Sequence, residues 1–241
     1  MGRFLRFLVF FAVLVAAFVL IALPLLLGPL LTQLVRNSGL QADTLSVSVA
    51  PFDPTLLLGR AHRITLIASG VDASPARIGD VNLTIGDASY FDRSFQTVTG
   101  SIDDVSITVN GSDIHVGDVT VDGPADAANA TAHLSATDTD QLVRLAGARD
   151  GLTIDNVHMS DSGVTVKVSG IQANAKLAVS GGALVLDPGV GPALVLLQPA
   201  PSDPWQLQEA WVSADGLNVR ATVDMARLTR NITSGDAVTA N

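Results

Sequence analysis

The four histidines of this 241-residue chain are the residues best suited to bind a metal or move a proton, but their spacing indicates neither use. No His-x-x-x-His or His-Glu pair brings two of them together: His62, His115, His133 and His158. Cysteine is absent, and a zinc site needs three or four convergent ligands. We therefore expect no metal site and no cofactor.

Nucleophiles and paired carboxylates give no clearer sign of catalysis. No Gly-x-Ser-x-Gly motif is present, and the acid pairs at 103–104 and 138/140 lack the calcium-loop frame of an EF-hand. Of the 23 acidic residues only Glu209 is not Asp, and the Asp residues are scattered among turn signals, which is typical of a solubilising surface. We expect no catalytic residues. An enzyme that uses a buried Asp stays open as an alternative.

Apolar side chains in polar surroundings are the remaining candidates for a site. The segment PFDPTLLLGR is an apolar loop, which would dip into a membrane, form the mouth of a lipid groove, or turn inward as a buried loop. Two tryptophans in a domain poor in aromatics would anchor at a membrane interface, cover a groove, or pack in a core. The candidate lipid-binding residues are Phe52, Leu56, Leu57, Leu58, Trp205 and Trp211.

The elements that must position these residues are mostly strands. Apolar residues alternate with polar ones around residues 45–49, 81–85, 105–121, 164–168 and 217–223, as in half-buried antiparallel strands. Helices are predicted at 137–145, which has a capping start, and at 203–208, where Asp precedes Pro. The apolar run Val190–Leu197 is either a loop or a buried strand. The fold class is therefore mainly β with few helices.

The N-terminal region predicts a membrane anchor. Residues 7–31 contain no charged side chain, and this run exceeds the ~20 residues that cross a bilayer as a helix. Two arginines precede it, so residues 1–6 should be cytoplasmic and the main domain extracytoplasmic, on a single-pass cell-membrane protein. A cleaved signal peptide is the alternative. We expect a helical linker at 32–40, one domain at 41–230 and a disordered tail at 231–241.

Charge limits the partners of this domain. Beyond residue 42 the chain carries 23 acidic and 11 basic residues, a net charge of −12. Such a surface repels phosphate backbones, so nucleic acid is excluded as a partner. It would also not adhere electrostatically to anionic headgroups, so any lipid must be bound through apolar contact.

Four stretches resemble the LmeA family of bacterial phospholipid-binding proteins. They are VSVAPFDPTLLLGRAHRITLIASGV (47–71), IGDVNLTIGDASYFDRSFQTVTGSIDDVSITV (78–109), ATAHLSATDTDQLVRL (130–145) and VSADGLNVRATVDMARL (212–228). The resemblance implies a long curved antiparallel sheet wrapped on a helix, similar to tubular lipid-binding proteins. It implies non-catalytic binding of phospholipid at the cell envelope, with Phe52 and Leu56 to Leu58 in the family's hydrophobic loop. Asp140-Gln141 departs from the family, where an acid is commonly followed by Leu.

The sequence thus predicts a membrane-anchored protein that binds phospholipid, or transfers it, in an apolar groove. The alternative is a structural or assembly module of the cell envelope, which would have a dry core and bind an envelope protein partner. A dry core fits the alternating pattern equally well, because aliphatic strands pack against a helix or around an acyl chain alike.

Overall fold

The structure used here is a computed structural model, which describes residues 42–49, 60–73, 76–89, 91–92, 94–109, 112–161, 163–189 and 192–227. The predicted cytoplasmic segment 1–6, anchor 7–31, linker 32–40 and tail 231–241 lie outside these residues. Within the described ranges, no helix combines the length and apolar character needed to cross a membrane.

A curled antiparallel sheet of eight strands forms the larger part of the fold. Its strands lie in the order β1-β2-β3-β4-β5-β6-β13-β12, so the first six follow the chain as a meander and the last two return beside β6. The strands are β1 Thr44–Val49, β2 Arg60–Ala73, β3 Ala76–Ser89, β4 Thr97–Val109, β5 Ser112–Pro124, β6 Ala128–Ser135, β12 Trp205–Ser213 and β13 Gly216–Val223.

A smaller sheet and one helix lie between β6 and β12 in the chain. The helix α1 spans Ala136–Arg149, and the sheet has the order β11-β10-β9-β8-β7. Its strands are β7 Ile154–Ser160, β8 Gly163–Val168, β9 Ile171–Ser180, β10 Ala183–Asp187 and β11 Leu194–Leu197. Strand β9 changes partner halfway, because residues 171–175 pair with β8 and residues 176–180 pair with β10.

The prediction of a mainly β fold with few helices is confirmed. Predicted alternation matches the burial pattern of β3, whose aliphatic residues are buried every second position over most of its length. The predicted helix at 137–145 is present as α1, longer at both ends, and residues 194–197 of the apolar run Val190–Leu197 form a strand.

The predicted helix at 203–208 is wrong. Residues 201–204 turn and then enter β12, where Trp205 lies opposite Val223 and Leu207 lies opposite Ala221. Local helix signals are worth about 1 kcal/mol, whereas pairing with β13 satisfies a row of backbone groups and buries both side chains. The ladder therefore overrides the Asp-Pro start signal.

Gly100 allows the strands of the larger sheet to approach closely. It lies in the middle of β4 between Leu83 and Val121, with φ +157°. A Cβ atom at this position would lie 2.0 Å from the carbonyl oxygen of Asn82 and 2.8 Å from the Cα atom of Leu83. Both atoms belong to the backbone, so relief would require β3 and β4 to separate.

We expect Gly100→Ala to lower the free energy of unfolding by about 2 kcal/mol, since backbone strain of this kind costs roughly 1–3 kcal/mol. The matched control is Gly117→Ala on β5, where the nearest neighbouring atom to a new Cβ is 3.7 Å away. Thermal unfolding followed by circular dichroism measures both. Equal midpoints for the two variants would show that β3 and β4 are not in close contact at Gly100.

Candidate functional site

Across strands β2 to β5, one face of the larger sheet is lined by aliphatic side chains. On β2 to β5 the inward aliphatic residues are no more than 2% exposed: Ala61, Ile64, Leu66, Ala68, Val71, Ala76, Ile78, Val81, Leu83, Ile85, Ala88, Val98, Ile102, Val105, Ile107, Ile114, Val116, Val119 and Val121. We call this set the aliphatic face. Its chemistry is that of hydrocarbon, because it contains no aromatic ring and no polar side chain, so it can contact only apolar groups favourably.

Aromatic residues and methionine occupy one end of this sheet. Three of them are buried there: Phe95, Trp205 and Met225. Backbone hydrogen bonds hold this end together, since Ala125 N–H donates to the Gln96 carbonyl at 2.8 Å and Ala226 N–H donates to the Ala125 carbonyl at 2.9 Å. The aliphatic face therefore ends against three larger side chains. We call this group, Phe95, Trp205 and Met225, the aromatic end.

Helix α1 enters the fold where the larger sheet splits. Strands β5 and β6 pair only at residues 119–122 and 129–132, although β5 continues along β4 and β6 continues along β13. Asp138 fills this gap, because its Oδ1 atom accepts the backbone N–H of His115 on β5 at 2.9 Å. The Ser135 hydroxyl donates to the other oxygen and caps the Asp138 N–H at 3.2 Å. A nearly buried carboxylate thus replaces a missing strand partner.

The middle and the end of α1 hold both edges of the smaller sheet. Asp140 accepts the backbone N–H of Val157 on β7 at 3.0 Å. Arg144 donates to Asp140 and to the carbonyls of Ile154 and Asp155, at 2.6–2.7 Å. The hydrogen bond with Asp140 raises the pKa of the Arg144 guanidinium above its ordinary value. The helix therefore covers the open backbone of β7.

Strand β11, the other edge of the smaller sheet, is also tied to α1. Arg149 donates to the Val195 carbonyl at 2.6 Å and to the carboxylate of Asp150 at 3.0 Å. Since β7 and β11 are the outermost strands of this sheet, α1 joins its two edges. The helix also packs on β5, β6 and β13 of the larger sheet, so it connects the two sheets.

The outward face of the larger sheet is polar and acidic. Asp80, Asp103 and Asp118 lie side by side on β3, β4 and β5, in directly paired positions. Like charges in such positions repel each other, so this face of the sheet suits contact with solvent and does not suit packing against another element of the fold. Among the described residues, no group of three or more His, Asp or Glu side chains is arranged to hold a metal ion.

Asp215, in the turn between β12 and β13, has an altered acidity. The Ser213 hydroxyl donates to its carboxylate, which lowers the pKa of Asp215 below its ordinary value, with smaller contributions from a backbone hydrogen bond and from His133. A carboxyl whose pKa is lowered by folding stabilises the fold above its unfolded-state pKa. That stabilisation is lost as the pH falls through the lowered value.

We expect Ser213→Ala to raise the pKa of Asp215 towards the ordinary value of about 4. Carbon-13 NMR titration of the Asp carboxyl groups measures this change directly. Ser180→Ala, at an exposed strand end, is the control and should leave Asp215 unchanged. An unaltered Asp215 titration in Ser213→Ala would show that the hydroxyl is not its main partner.

The six candidate lipid contacts are not all placed by the structure. Phe52, Leu56, Leu57 and Leu58 lie outside the described residues. Trp205 is 1% exposed and belongs to the aromatic end. It lies on strand β12, within the segment 203–208 for which the sequence predicted a helix.

Trp211 lies on the opposite face of β12 from the core. A bulge between Leu207 and Glu209 shifts the register, so that Ala210 and Val212 pack against the core and Trp211 points away from it. The Arg220 guanidinium lies 5.3 Å from the centre of the indole ring and forms an ion pair with Glu209 at 3.0 Å. The bulge therefore places the two tryptophans on opposite faces of β12, although the sequence predicted the same role for both.

Sequence reasoning did not select the exposed hydrophobic residues. Phe91, between β3 and β4, is 81% exposed, while Ile171 is 73% and Leu152 is 46% exposed. An aromatic pair within a polar turn was the available signal for Phe91. The ends of β1 and β2 that flank residues 50–59 lie at the same end of the sheet as Phe91, because Arg60 lies opposite Ser89.

Comparison with known proteins found no match among family models, curated proteins or solved structures.

Proposed function

We propose that this chain is a membrane-anchored extracytoplasmic protein that binds phospholipid non-catalytically in an apolar groove and serves the maintenance of the cell envelope. The acyl chains lie along the aliphatic face, and the headgroup stays outside it. Binding without chemical conversion is consistent with a face that carries no polar side chain.

The extent of the aliphatic face is the observation that carries this proposal. Within the larger sheet, helix α1 packs on β5, β6 and β13, whereas the same aliphatic lining continues across β2, β3 and β4. A strip this long and uniform suits an acyl chain, since each buried methylene contributes roughly 0.8 kcal/mol. The resemblance to the LmeA family supports the same function and the same curved sheet wrapped on a helix.

We place the mouth of the groove beside β1 and β2, where they flank residues 50–59. Phe52 and Leu56 to Leu58 are in this segment, and the exposed Phe91 lies at the same end. The aromatic end lies at the same end of the sheet, but beside β4, β12 and β13. Apolar side chains at a mouth let a lipid tail leave a membrane without contacting water. The linker 32–40 and anchor 7–31 keep the mouth near the membrane that supplies the lipid.

Tryptophan quenching by brominated phospholipid tests this function. In Trp211→Phe, Trp205 is the one remaining tryptophan, and it lies at the aromatic end of the aliphatic face. Residues 42–227 are incubated with vesicles of brominated phosphatidylcholine and then separated from them by gel filtration. We expect the separated protein to lose roughly half of its emission, because a bound acyl chain would lie close to this indole.

The control uses the same variant with unbrominated phosphatidylcholine, and Trp205→Phe gives the corresponding measurement for Trp211 outside the core. Equal emission with brominated and plain lipid, from a protein that still unfolds cooperatively, would contradict the proposal. That result would support the alternative of an envelope assembly module with a dry core.

A further inference from the structure

The edges of the two sheets are not protected alike. In the smaller sheet, α1 holds β7 through Asp140 and Arg144 and holds β11 through Arg149. In the larger sheet, β12 has a bulge between Leu207 and Glu209 and lies against β7 and β9. Bulges, charged side chains and covering elements prevent a sheet edge from pairing with another chain. In the described part of the chain, three of the four sheet edges therefore have such protection.

Strand β1 is the fourth edge, and within the described residues it has none of these protections. It pairs with β2 alone, in a register without a bulge. Its sequence TLSVSV contains no charged residue and no proline. Its inward residues Leu45 and Val47 are only partly buried, whereas the residues opposite them on β2, Ala68 and Leu66, are no more than 1% exposed. The backbone of β1 and its apolar side both suit one further strand.

The segment 50–59 is too short to cover the whole of β1. A strand formed by it would run back beside β1 from Val49 to Thr44 and then return to Arg60, where β2 begins. Thr44 lies opposite Ser69, nine positions from Arg60 along β2. The path along the strands alone is roughly 46 Å, whereas the chain from Val49 to Arg60 spans at most about 40 Å. The partner of β1 must therefore come from elsewhere.

A second copy of β1 is complementary to β1 when the two strands are antiparallel. Residues directly opposite each other on antiparallel strands face the same side of the sheet. If the aliphatic sides match and at least five residues pair, the two-fold axis must pass through Ser46 or Val47. Leu45 then lies opposite Val47 or Val49 of the other copy, and hydroxyl residues lie opposite hydroxyl residues. Such a symmetric interface closes a dimer and leaves β1 no open edge.

Charge favours the same arrangement. Beyond residue 42 the chain has a net charge of −12, so two copies repel each other over most of their surface, whereas β1 is uncharged. Asp43 directly precedes β1. Antiparallel pairing places the two Asp43 residues at least six positions apart, roughly 20 Å, which exceeds the Debye length of about 8 Å at physiological salt. Parallel pairing in register would place them side by side.

We propose that β1 is a dimerisation strand, which pairs antiparallel with β1 of a second copy of this chain. The two eight-stranded sheets then form one continuous sheet, and Leu45 and Val47 of both copies connect the two aliphatic faces across the two-fold axis. This contact goes beyond the proposed function, because it names a protein partner and holds whether or not the aliphatic face binds lipid.

Disulfide crosslinking tests this dimer in the full chain, which has no cysteine of its own. Ser46→Cys, Val47→Cys and Ser48→Cys are expressed singly in bacteria, and the intact cells are oxidised with copper phenanthroline. A residue on the two-fold axis lies opposite its own copy, within the roughly 4.4–6.8 Å between Cα atoms that a disulfide needs. We expect Ser46→Cys or Val47→Cys to give roughly tenfold more covalent dimer than Ser48→Cys.

Ser48→Cys is the matched control, because Ser48 lies two or four positions from its own copy in the two permitted registers. No covalent dimer in either Ser46→Cys or Val47→Cys would overturn the proposal. An equal yield in Ser48→Cys would also overturn it, since that result indicates parallel strands or random collision.

Energy transfer between two labelled samples of the purified full chain tests the dimer without a disulfide. Asn82→Cys is exposed on β3 and level with Ser46, so the dimer places two labels there five strand spacings apart, roughly 24 Å. Ser46→Lys should lower the transfer roughly tenfold, because its two lysines would lie opposite each other or two positions apart. Thr120→Lys, exposed on the interior strand β5, is the control. Equal transfer in both lysine variants would overturn the proposal, because the contact would not involve β1.

Discussion

Val81→Phe is expected to remove most of the phospholipid bound by the protein while the domain stays folded. Val81 lies on β3 within the aliphatic face, opposite Ala68 on β2 and Ile102 on β4, and is 1% exposed. A phenyl group at this position needs the space that an acyl chain would occupy. The loss of two methylene contacts at roughly 0.8 kcal/mol each corresponds to about a tenfold weaker affinity.

Asn82→Phe is the matched control for this substitution. Asn82 is the next residue on the same strand, is exposed, and faces the outward side of the sheet. It receives the same aromatic ring without intruding on the aliphatic face. Lipid extracted from each purified variant and quantified by mass spectrometry gives the molar ratio of phospholipid to protein, which should fall about tenfold in Val81→Phe alone.

The stability of Val81→Phe separates a lipid groove from a dry core. In a groove, the ring displaces lipid and the free energy of unfolding of the lipid-free protein changes little. In a closely packed core, an oversized side chain costs roughly 1–3 kcal/mol. A destabilised Val81→Phe, together with wild-type protein that carries no lipid, would favour the assembly module.

Asp138→Ala is expected to destabilise the domain by about 3 kcal/mol, the largest stability effect of any substitution considered. The substitution removes the acceptor for His115 N–H and for the Ser135 hydroxyl, and a buried donor left unpaired costs roughly 1–3 kcal/mol. The first turn of α1 also loses the carboxylate that favours the positive end of the helix dipole, which adds roughly 0.3–1 kcal/mol. Because α1 joins both sheets, both should unfold in one transition at a lower temperature.

Asp126→Ala is the control for charge, since Asp126 is an exposed carboxylate in the connection between β5 and β6. The unfolding temperature of Asp138→Asn should lie between those of Asp138→Ala and Asp126→Ala, because an amide oxygen still accepts the His115 N–H. Thermal unfolding by circular dichroism gives the ranking. If Asp138→Ala and Asp126→Ala unfold at the same temperature, the carboxylate does not bridge the split between β5 and β6.

Local periodicity was sufficient to predict the strands that expose one face. The alternation at residues 81–85 and 217–223 corresponds to β3 and β13 because those strands have one buried and one solvated side. Strand β2 was less evident, since Ile67 places a large aliphatic side chain on its outward face and interrupts the alternation. The helix at 203–208 was predicted wrongly because the conformation of that segment is determined by its pairing with β13.

The elements that join the two sheets depend on contacts that no local pattern contains. Asp138 and Asp140 look like ordinary residues in the first turns of a helix, but their partners are backbone groups 23 and 17 residues away. The same limit applies to the bulge before Glu209, which places Trp211 outside the core. The aliphatic character of the buried face was predictable from composition, whereas its extent across β2 to β5 required the register of the sheet.

Native mass spectrometry of residues 42–227, produced in bacteria and purified without detergent, tests the central claim most directly. The proposed function predicts a population whose mass exceeds that of the polypeptide by one phospholipid, and this population should be reduced in Val81→Phe but not in Asn82→Phe. A lipid-free mass from a domain that unfolds in a single cooperative transition would contradict it.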